Sequence, residues 1–323
     1  MKFSTAIVVT FLSLLLGVSA GSSQETYPNR PIKIVVPNPP GGVTDLIGRV
    51  FGQKLTEAWG QSVIVENRPG GDEMIAGEVV ARSAPDGYTL LVASNGGVTS
   101  SPQLHKDKSY DPIKDLTPIL YLGDLAPVLL VTSSLPATNV EEFIALVKSK
   151  PGQLNYGSFG NGSYPHVAME DLKRRTGIDI THIAYRGAPP AYTALLSGEI
   201  AVMITNLAGA ETQAATGKAK IIAAAGATRS TFRPDLPTIG ETVPGFATGA
   251  WWGIFGPANL PKPIIEKIRA EWARTVNTPE MKKIFETNTL QPVEMTQEKM
   301  VQFIDKDQTY WAQQFKQAGL EAQ

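Results

Sequence analysis

The chain contains no cysteine, and that absence removes disulfides, thiol nucleophiles, iron–sulfur clusters and Cys-ligated zinc at once. Charge is scarce and balanced. Charged residues make up 18% of 323 positions, below the roughly 25% usual in soluble domains, with 29 Lys and Arg against 30 Asp and Glu. A net charge of −1 gives no basic footprint for nucleic acid and no polybasic membrane patch. Histidine is limited to His105, His166 and His182, which share no metal-ligand spacing. Beyond the N-terminus no stretch is long and apolar enough for a membrane helix. What is present is 42% hydrophobic residues, ample for a folded core, together with 30 glycines and 24 prolines.

The N-terminus reads as a cleaved export signal. Lys2 precedes an apolar run from Ala6 to Leu16, and Val18 and Ala20 place small residues at the −3 and −1 positions of a cleavage site after Ala20. The run is shorter than the roughly 20 apolar residues that a bilayer requires. An exported chain without cysteine fits the bacterial periplasm, where a protein of this size can build its core without disulfides.

At about 150 residues per domain the mature length predicts two domains. Strand-like and helix-like segments alternate through its first two thirds. Expected strands are Ile32 to Val36, Val63 to Glu66, Thr89 to Ala93, Pro118 to Leu122, Val128 to Thr132, Leu154 to Tyr156, Ile178 to Ala184, Ile200 to Thr205 and Ile221 to Ala225. Between them lie expected helices at Thr44 to Ala58, Met74 to Ala84, Val140 to Lys150, His166 to Arg175, Pro190 to Leu196 and Ala208 to Thr216. This is the pattern of helix-covered parallel sheets. After a further strand at Trp251 to Gly256 the tail turns helical, with Ile264, Ile268, Trp272 and Val276 on one face and Met300, Phe303, Ile304, Trp311 and Phe315 on another. Such a tail should pack back on an earlier domain.

Two strand-to-helix loops carry most of the chemical information. The first runs Pro37-Asn38-Pro39-Pro40-Gly41-Gly42-Val43-Thr44-Asp45; the second runs Tyr156-Gly157-Ser158-Phe159-Gly160-Asn161-Gly162-Ser163-Tyr164-Pro165-His166. Glycines let the backbone approach a guest, and the helix that follows points free N–H groups at the same spot. Either loop alone reads as a tight turn. Two of them facing each other would cradle a carboxylate with neutral donors, which suits a protein without excess positive charge.

Other signals fail on inspection. Proline at position 165 breaks a dinucleotide fingerprint, no phosphate-binding loop surrounds Gly217-Lys218, and no serine sits in a Gly-x-Ser-x-Gly elbow. His166 reads either as packing at a helix start or as a neutral donor to a ligand. Asp45 reads as a helix-dipole or capping residue before it reads as a general base, and Arg68 as a turn-holding arginine. Trp251 and Trp252 fit a core or a cleft wall. With no nucleophile and base to pair, a hydrolase is not expected.

The sequence resembles the substrate-binding family of tripartite tricarboxylate transporters, the Bug-type periplasmic receptors. Matching stretches are Tyr27 to Pro37, Pro39-Pro40-Gly41-Gly42 with Asp45, Val65 to Gly70, Ala84-Pro85-Asp86-Gly87-Tyr88-Thr89-Leu90, and Tyr156-Gly157-Ser158 with Gly160, Gly162, Ser163 and His166. Tyr185-Arg186-Gly187, Arg233 to Thr238 and Trp251-Trp252-Gly253 complete the match, in order along the mature chain.

The resemblance implies an α/β, two-lobed fold of the type II periplasmic-binding class, each lobe a mainly parallel sheet with helices around it and a ligand cleft between. Residues 27–125 and 230–323 are expected in one lobe and 126–229 in the other. It also implies a monomer without cofactor, metal or enzymatic activity. Such a receptor captures a small organic acid for the large and small inner-membrane subunits of a permease; an alternative is a sensor that reports the acid to a signalling kinase. Carried over position by position, the ligand contacts are Asn38, Gly41, Gly42, Thr44, Asp45, Ser94 and Asn95 on one lobe, and Ser158, Gly162, Ser163, His166 and Asn206 on the other. Departures from the family pattern are Asn38 for an aromatic, Gly71-Asp72-Glu73 for a run of small residues, Thr193 for an acid, and Asn206 for Asp. An amide at 206 would neither pair with an amino group nor repel a second carboxylate, so a dicarboxylate or aromatic acid is expected as ligand.

Overall fold

The computed structural model describes residues 27–70, 73–317 and 319–320. The export signal, with its cleavage site after Ala20, lies outside the described residues, as do Gly71 and Asp72.

The chain first lays down β1 (Ile32–Val36), α1 (Val43–Trp59), β2 (Val63–Asn67), α2 (Met74–Ala81), β3 (Thr89–Ser94) and β4 (Leu116–Leu125). It then crosses into β5 (Pro127–Thr132), α3 (Val140–Ser149), β6 (Asn155–Ser158), α4 (Tyr164–Thr176), β7 (Thr181–Ala184), α5 (Ala188–Ser197), β8 (Val202–Asn206), α6 (Leu207–Ala214), β9 (Ala219–Ala224) and the short α7 (Ile239–Thr242). It returns through β10 (Trp251–Pro257), α8 (Lys262–Thr275), α9 (Pro279–Thr287), β11 (Leu290–Pro292) and α10 (Gln297–Gln317).

These strands form two sheets, ordered β11-β4-β10-β3-β1-β2 and β7-β6-β8-β5-β9. β1 runs parallel to β2 and β3, while β10 is antiparallel to both β3 and β4, so β1 to β4 share one direction and β10 and β11 oppose it. In the second sheet β5 alone opposes β6, β7, β8 and β9. The reversed strands are those entering a lobe at a crossing, plus the terminal β11.

Alternation along the strands sorts the first lobe into two cores. Ile34, Val36, Leu90, Val92 and Trp252 meet Phe51, Leu55, Ile268 and Trp272 of α1 and α8 on one face. Val35, Leu91, Trp251 and Phe255 meet Met74, Val80, Met300 and Ile304 of α2 and α10 on the other. Trp251 and Trp252 thus belong to opposite cores, and each indole is fixed by a hydrogen bond, Trp251 Nε1 to Asp307 Oδ2 (2.9 Å) and Trp252 Nε1 to Thr44 Oγ1 (3.0 Å).

The lobe boundary differs from the expected one. Ile239, Val243 and Phe246 pack in the same core as Phe143 and Leu172 of the second lobe, and Ala224 pairs with Thr238. The return crossing therefore falls just before Trp251, and residues 230 to about 248 belong with the second lobe. The apolar spacing of this segment is too short to announce which sheet it covers. α10 returns as expected to the first lobe, and its end continues onto the second, where Trp311 and Phe315 bury Val167 of α4.

Candidate functional site

The first glycine loop joins β1 to α1 at the carboxyl end of its sheet, where open α/β sheets take ligands. Its shape is held from beneath by Asp45, 1% exposed, whose carboxylate accepts from Gly41 N (2.9 Å), Asn67 Nδ2 (2.8 Å) and Arg49 Nε (2.9 Å). Asn67 Nδ2 also donates to Asn38 O at 2.8 Å, and Thr44 is tied to Trp252. Gly42, the N-cap of α1, offers no side-chain cap, so the first-turn N–H groups of a 17-residue helix remain for a guest.

The second loop is wired in the same manner. Ser158 Oγ lies 2.7 Å from His182 Nε2 and accepts from Gly160 N at 3.2 Å; Ser163 Oγ donates to Gly160 O at 2.6 Å, and Gly162 N donates to His166 Nδ1 at 3.0 Å. Ser163, the N-cap of α4, gives its helix no side-chain bond either. By contrast Asn206 caps α6, its Oδ1 accepting from Gly209 N at 2.6 Å, and leaves only its amide NH2 for other contacts. The loop reaches the first lobe: a Cβ on Gly162 would stand 3.3 Å from Leu104 Cδ1, and Tyr164 packs in one cluster with Leu104.

Of the expected contacts, Asn38, Gly41, Gly42, Thr44 and Asp45 lie between β1 and the first turn of α1, with Ser94 and Asn95 at the end of β3 in the same lobe, while Ser158, Gly162, Ser163 and His166 run from the end of β6 into the first turn of α4 and Asn206 ends β8 in the other lobe. Several of these side chains act on their own loops. Asp45, Ser158 and His166 take the amides of Gly41, Gly160 and Gly162, and Ser163 binds Gly160 O, so the donors left for a guest are the uncapped first-turn amides of α1 and α4. Arg68 pairs with Glu66 on β2.

His182 is absent from the sequence-based set. Only the β6–β7 pairing, which sets Tyr156 opposite His182, brings it under the loop, and no local motif signals that. Its ring stacks on His166 with centroids 4.0 Å apart and planes 10° from parallel. Burial, followed by the charge of His166, pushes His182 down to about 4, and burial also lowers His166. A histidine lowered on folding contributes stability above its unfolded value of 6.5 that is lost as pH falls toward 4. We therefore expect an NMR titration of His182 to have its midpoint near 4, and the melting temperature of His182→Gln to fall less than that of the parent between those pH values. A His182 midpoint near 6.5 would contradict the buried stack.

A separate cavity of about 300 Å³ lies at the crossings, walled by Asp124, Trp251, Phe303, Asp307, Tyr310 and Trp311 among others. None of the sequence-predicted contacts lines it, and no lysine or arginine does. Burial pushes the Asp124 carboxyl up, helped by the charge of Asp307, and burial raises Asp307 as well. An organic acid would meet two carboxyl groups there, whereas the starts of α1 and α4 offer first-turn amides with no side-chain cap, so the helix starts are the better acid site. Among the described residues no group of His, Cys, Asp or Glu could hold a metal ion.

Two α/β lobes linked by two crossings, with uncapped helix starts on loops at the inner strand ends, define a two-lobed binding protein. The chain belongs to the tripartite tricarboxylate transporter family receptors, whose profile matches residues 47–320. It is 31% identical to Protein BugT of Bordetella pertussis over 320 residues, 97% of each chain. Among solved structures, R. palustris Rpa4515 with adipate is 30% identical with a TM-score of 0.75, covering 92% of this chain and all of that one. MatC of Rhodopseudomonas palustris with bound malate is 29% identical with a TM-score of 0.70, covering 89% and 99%. The family consists of extracytoplasmic solute receptors for carboxylates and is not enzymatic. None of the described helices is long and apolar enough to cross a membrane.

Proposed function

We propose that this chain is exported after cleavage of its N-terminal signal, works as a monomer in the periplasm, and captures a dicarboxylate or an aromatic acid between its lobes for a two-subunit inner-membrane permease. The observation that carries this reading is the pair of glycine loops leading into helix starts without side-chain caps at Gly42 and Ser163, one on each lobe. Helix starts attract anions without fixed positive charge. Asn206, neutral and already turned into a cap, adds no charge that would select an amino group. The adipate and malate in Rpa4515 and MatC support an acid as the ligand class.

Because each lobe supplies part of the donor set, the acid stabilises the closed form through contacts absent from the open one. Closure is the signal the permease reads.

A thermal-shift screen with mono-, di- and tricarboxylates and benzoate-type acids tests this. An acid at one hundred times its Kd is expected to stabilise the protein by about 2.7 kcal/mol. A panel in which no acid moves the melting temperature would overturn the reading.

A further inference from the structure

The first-lobe wall already holds a carboxylate, and it belongs to the chain itself. Glu73 Oε2 accepts from Ser94 Oγ at 2.7 Å and from Gly97 N at 3.1 Å, and its Oε1 accepts from Asn38 Nδ2 at 3.2 Å. Gly96 N donates to the same Ser94 Oγ at 3.1 Å. Asn38 and Ser94 are two of the groups expected to receive the ligand. The backbone at 96 and 97 leaves room for this carboxylate: a Cβ on Gly96 would stand 3.1 Å from Glu73 Cδ, and one on Gly97 2.9 Å from Glu73 Cβ.

The position costs the chain something. Glu73 has φ 75°, a left-handed conformation that disfavours any residue with a Cβ. Among the described residues, no lysine or arginine pairs with it. Its carboxylate is therefore balanced by neutral donors, in the way a bound acid would be.

We propose that Glu73 sets the ligand class of this site. Its carboxylate occupies the Asn38, Ser94 and Gly97 donors of the first-lobe wall as a tethered anion, so the solute's own carboxylate is taken by the uncapped helix start at Ser163 on the second lobe. The end of the solute facing Glu73 carries a hydrogen-bond donor. A carboxylate offers about four acceptor positions, three of which are filled here, and the remaining one suits a hydroxyl or ammonium hydrogen. An ionised second carboxylate at that end would face a like charge in a partly buried cleft and lose affinity. The inference rests on the acid-receptor reading above and chooses within it: a monocarboxylic acid bearing a donor at its far end, such as a hydroxylated aromatic acid, over a dicarboxylate.

The test is calorimetric titration of the full mature protein with para-hydroxybenzoate, benzoate and terephthalate, which share one ring and differ only at the far end. The parent is expected to bind para-hydroxybenzoate at least ~10-fold more tightly than terephthalate. Glu73→Gln, which keeps the shape and removes the charge, is expected to shift that ratio toward terephthalate by ~10-fold or more. Glu73→Gly, which also relieves the backbone, should do the same with a melting temperature no lower than the parent's. Terephthalate binding the parent as tightly as para-hydroxybenzoate, or a ratio unchanged in both variants, overturns the role of Glu73 and leaves the receptor reading intact. If parent and variants bind none of these acids, nor any acid of the thermal-shift panel, the receptor reading falls and this inference with it.

Discussion

Asp45→Ala is expected to cost about 2–4 kcal/mol of stability and to weaken capture of the best acid in the screen by at least ~10-fold. The size of the loss is set by what the carboxylate holds. At 1% exposure it accepts from Gly41 N and from one of the two Asn67 Nδ2 hydrogens, and leaving the Gly41 amide without a partner costs about 1–3 kcal/mol, with a smaller loss at Asn67. The Arg49 bond adds less, since half of that side chain is in solvent and can rehydrate. Asn67 loses one of three bonds and keeps those with Asn38 O and Arg49 Nη2, so the loop loosens at Gly41 first. The affinity loss follows because Gly41 and Gly42 present the start of α1 to the guest. Asp45→Asn retains one acceptor and should fall between.

Acid tests the same contact. Burial pushes the Asp45 carboxyl up, but the bonds from Arg49, the Gly41 amide and Asn67 outweigh it and hold the group below its usual 3.8. A carboxylate lowered on folding contributes stability that is present above the unfolded value and lost as pH falls through the folded one. The gap between parent and Asp45→Ala should therefore narrow below about pH 3.8. Urea unfolding at neutral and acid pH measures both effects. Equal stability of parent and Asp45→Ala at neutral pH would remove Asp45 from its supporting role.

The glycine loops and nearly all elements around them are legible in the sequence because their causes are local. Ile47, Phe51 and Leu55 recur at helical spacing and all face the core of the first lobe. The short β-branched run at Ile32 to Val36 becomes β1 with the same bounds. What holds the loops is not legible, because it comes from far along the chain. Asn67 reaches Asp45 only when β2 lies beside β1, and His182 reaches Ser158 only when β7 lies beside β6. Glu73 could be noticed as a departure from small residues, yet its meaning appears only when Ser94 and Gly97 close on it. β11 escapes for a different reason: its three residues are too few for an alternation to show. The lobe boundary escapes because Ile239, Val243 and Phe246 are hydrophobic residues that would suit either core.

The second large effect is expected at Gly123, where the fold allows no side chain. Gly123 sits in β4 between Trp252 of β10 and Pro292 of β11, with φ 153°. A Cβ there would lie 2.2 Å from Gln291 O and 2.9 Å from its carbonyl carbon, both backbone atoms that no rotamer change can move. Gly123→Ala must push β11 off the sheet edge. Overpacking and backbone strain each cost about 1–3 kcal/mol, so a total of about 3–5 kcal/mol and a drop in Tm on the order of 10 °C are expected. Gly217→Ala isolates the two contributions. Gly217 has φ 74° but nothing within 4 Å of an added Cβ, so it carries strain without collision and should lose only about 1–2 kcal/mol. The damage at Gly123 should also spread beyond its own lobe. β11 leads directly into α10, whose Asp307 accepts from Thr99 (2.5 Å) and Trp251 (2.9 Å) and whose Trp311 and Phe315 cover Val167 of the second lobe. Displacing β11 therefore loosens the helix that spans both lobes, and acid affinity should fall together with stability in Gly123→Ala but stay at the parent's level in Gly217→Ala. Equal losses of stability in the two variants would mean that the sheet edge yields freely, and that α10 is held to the lobes by its own packing.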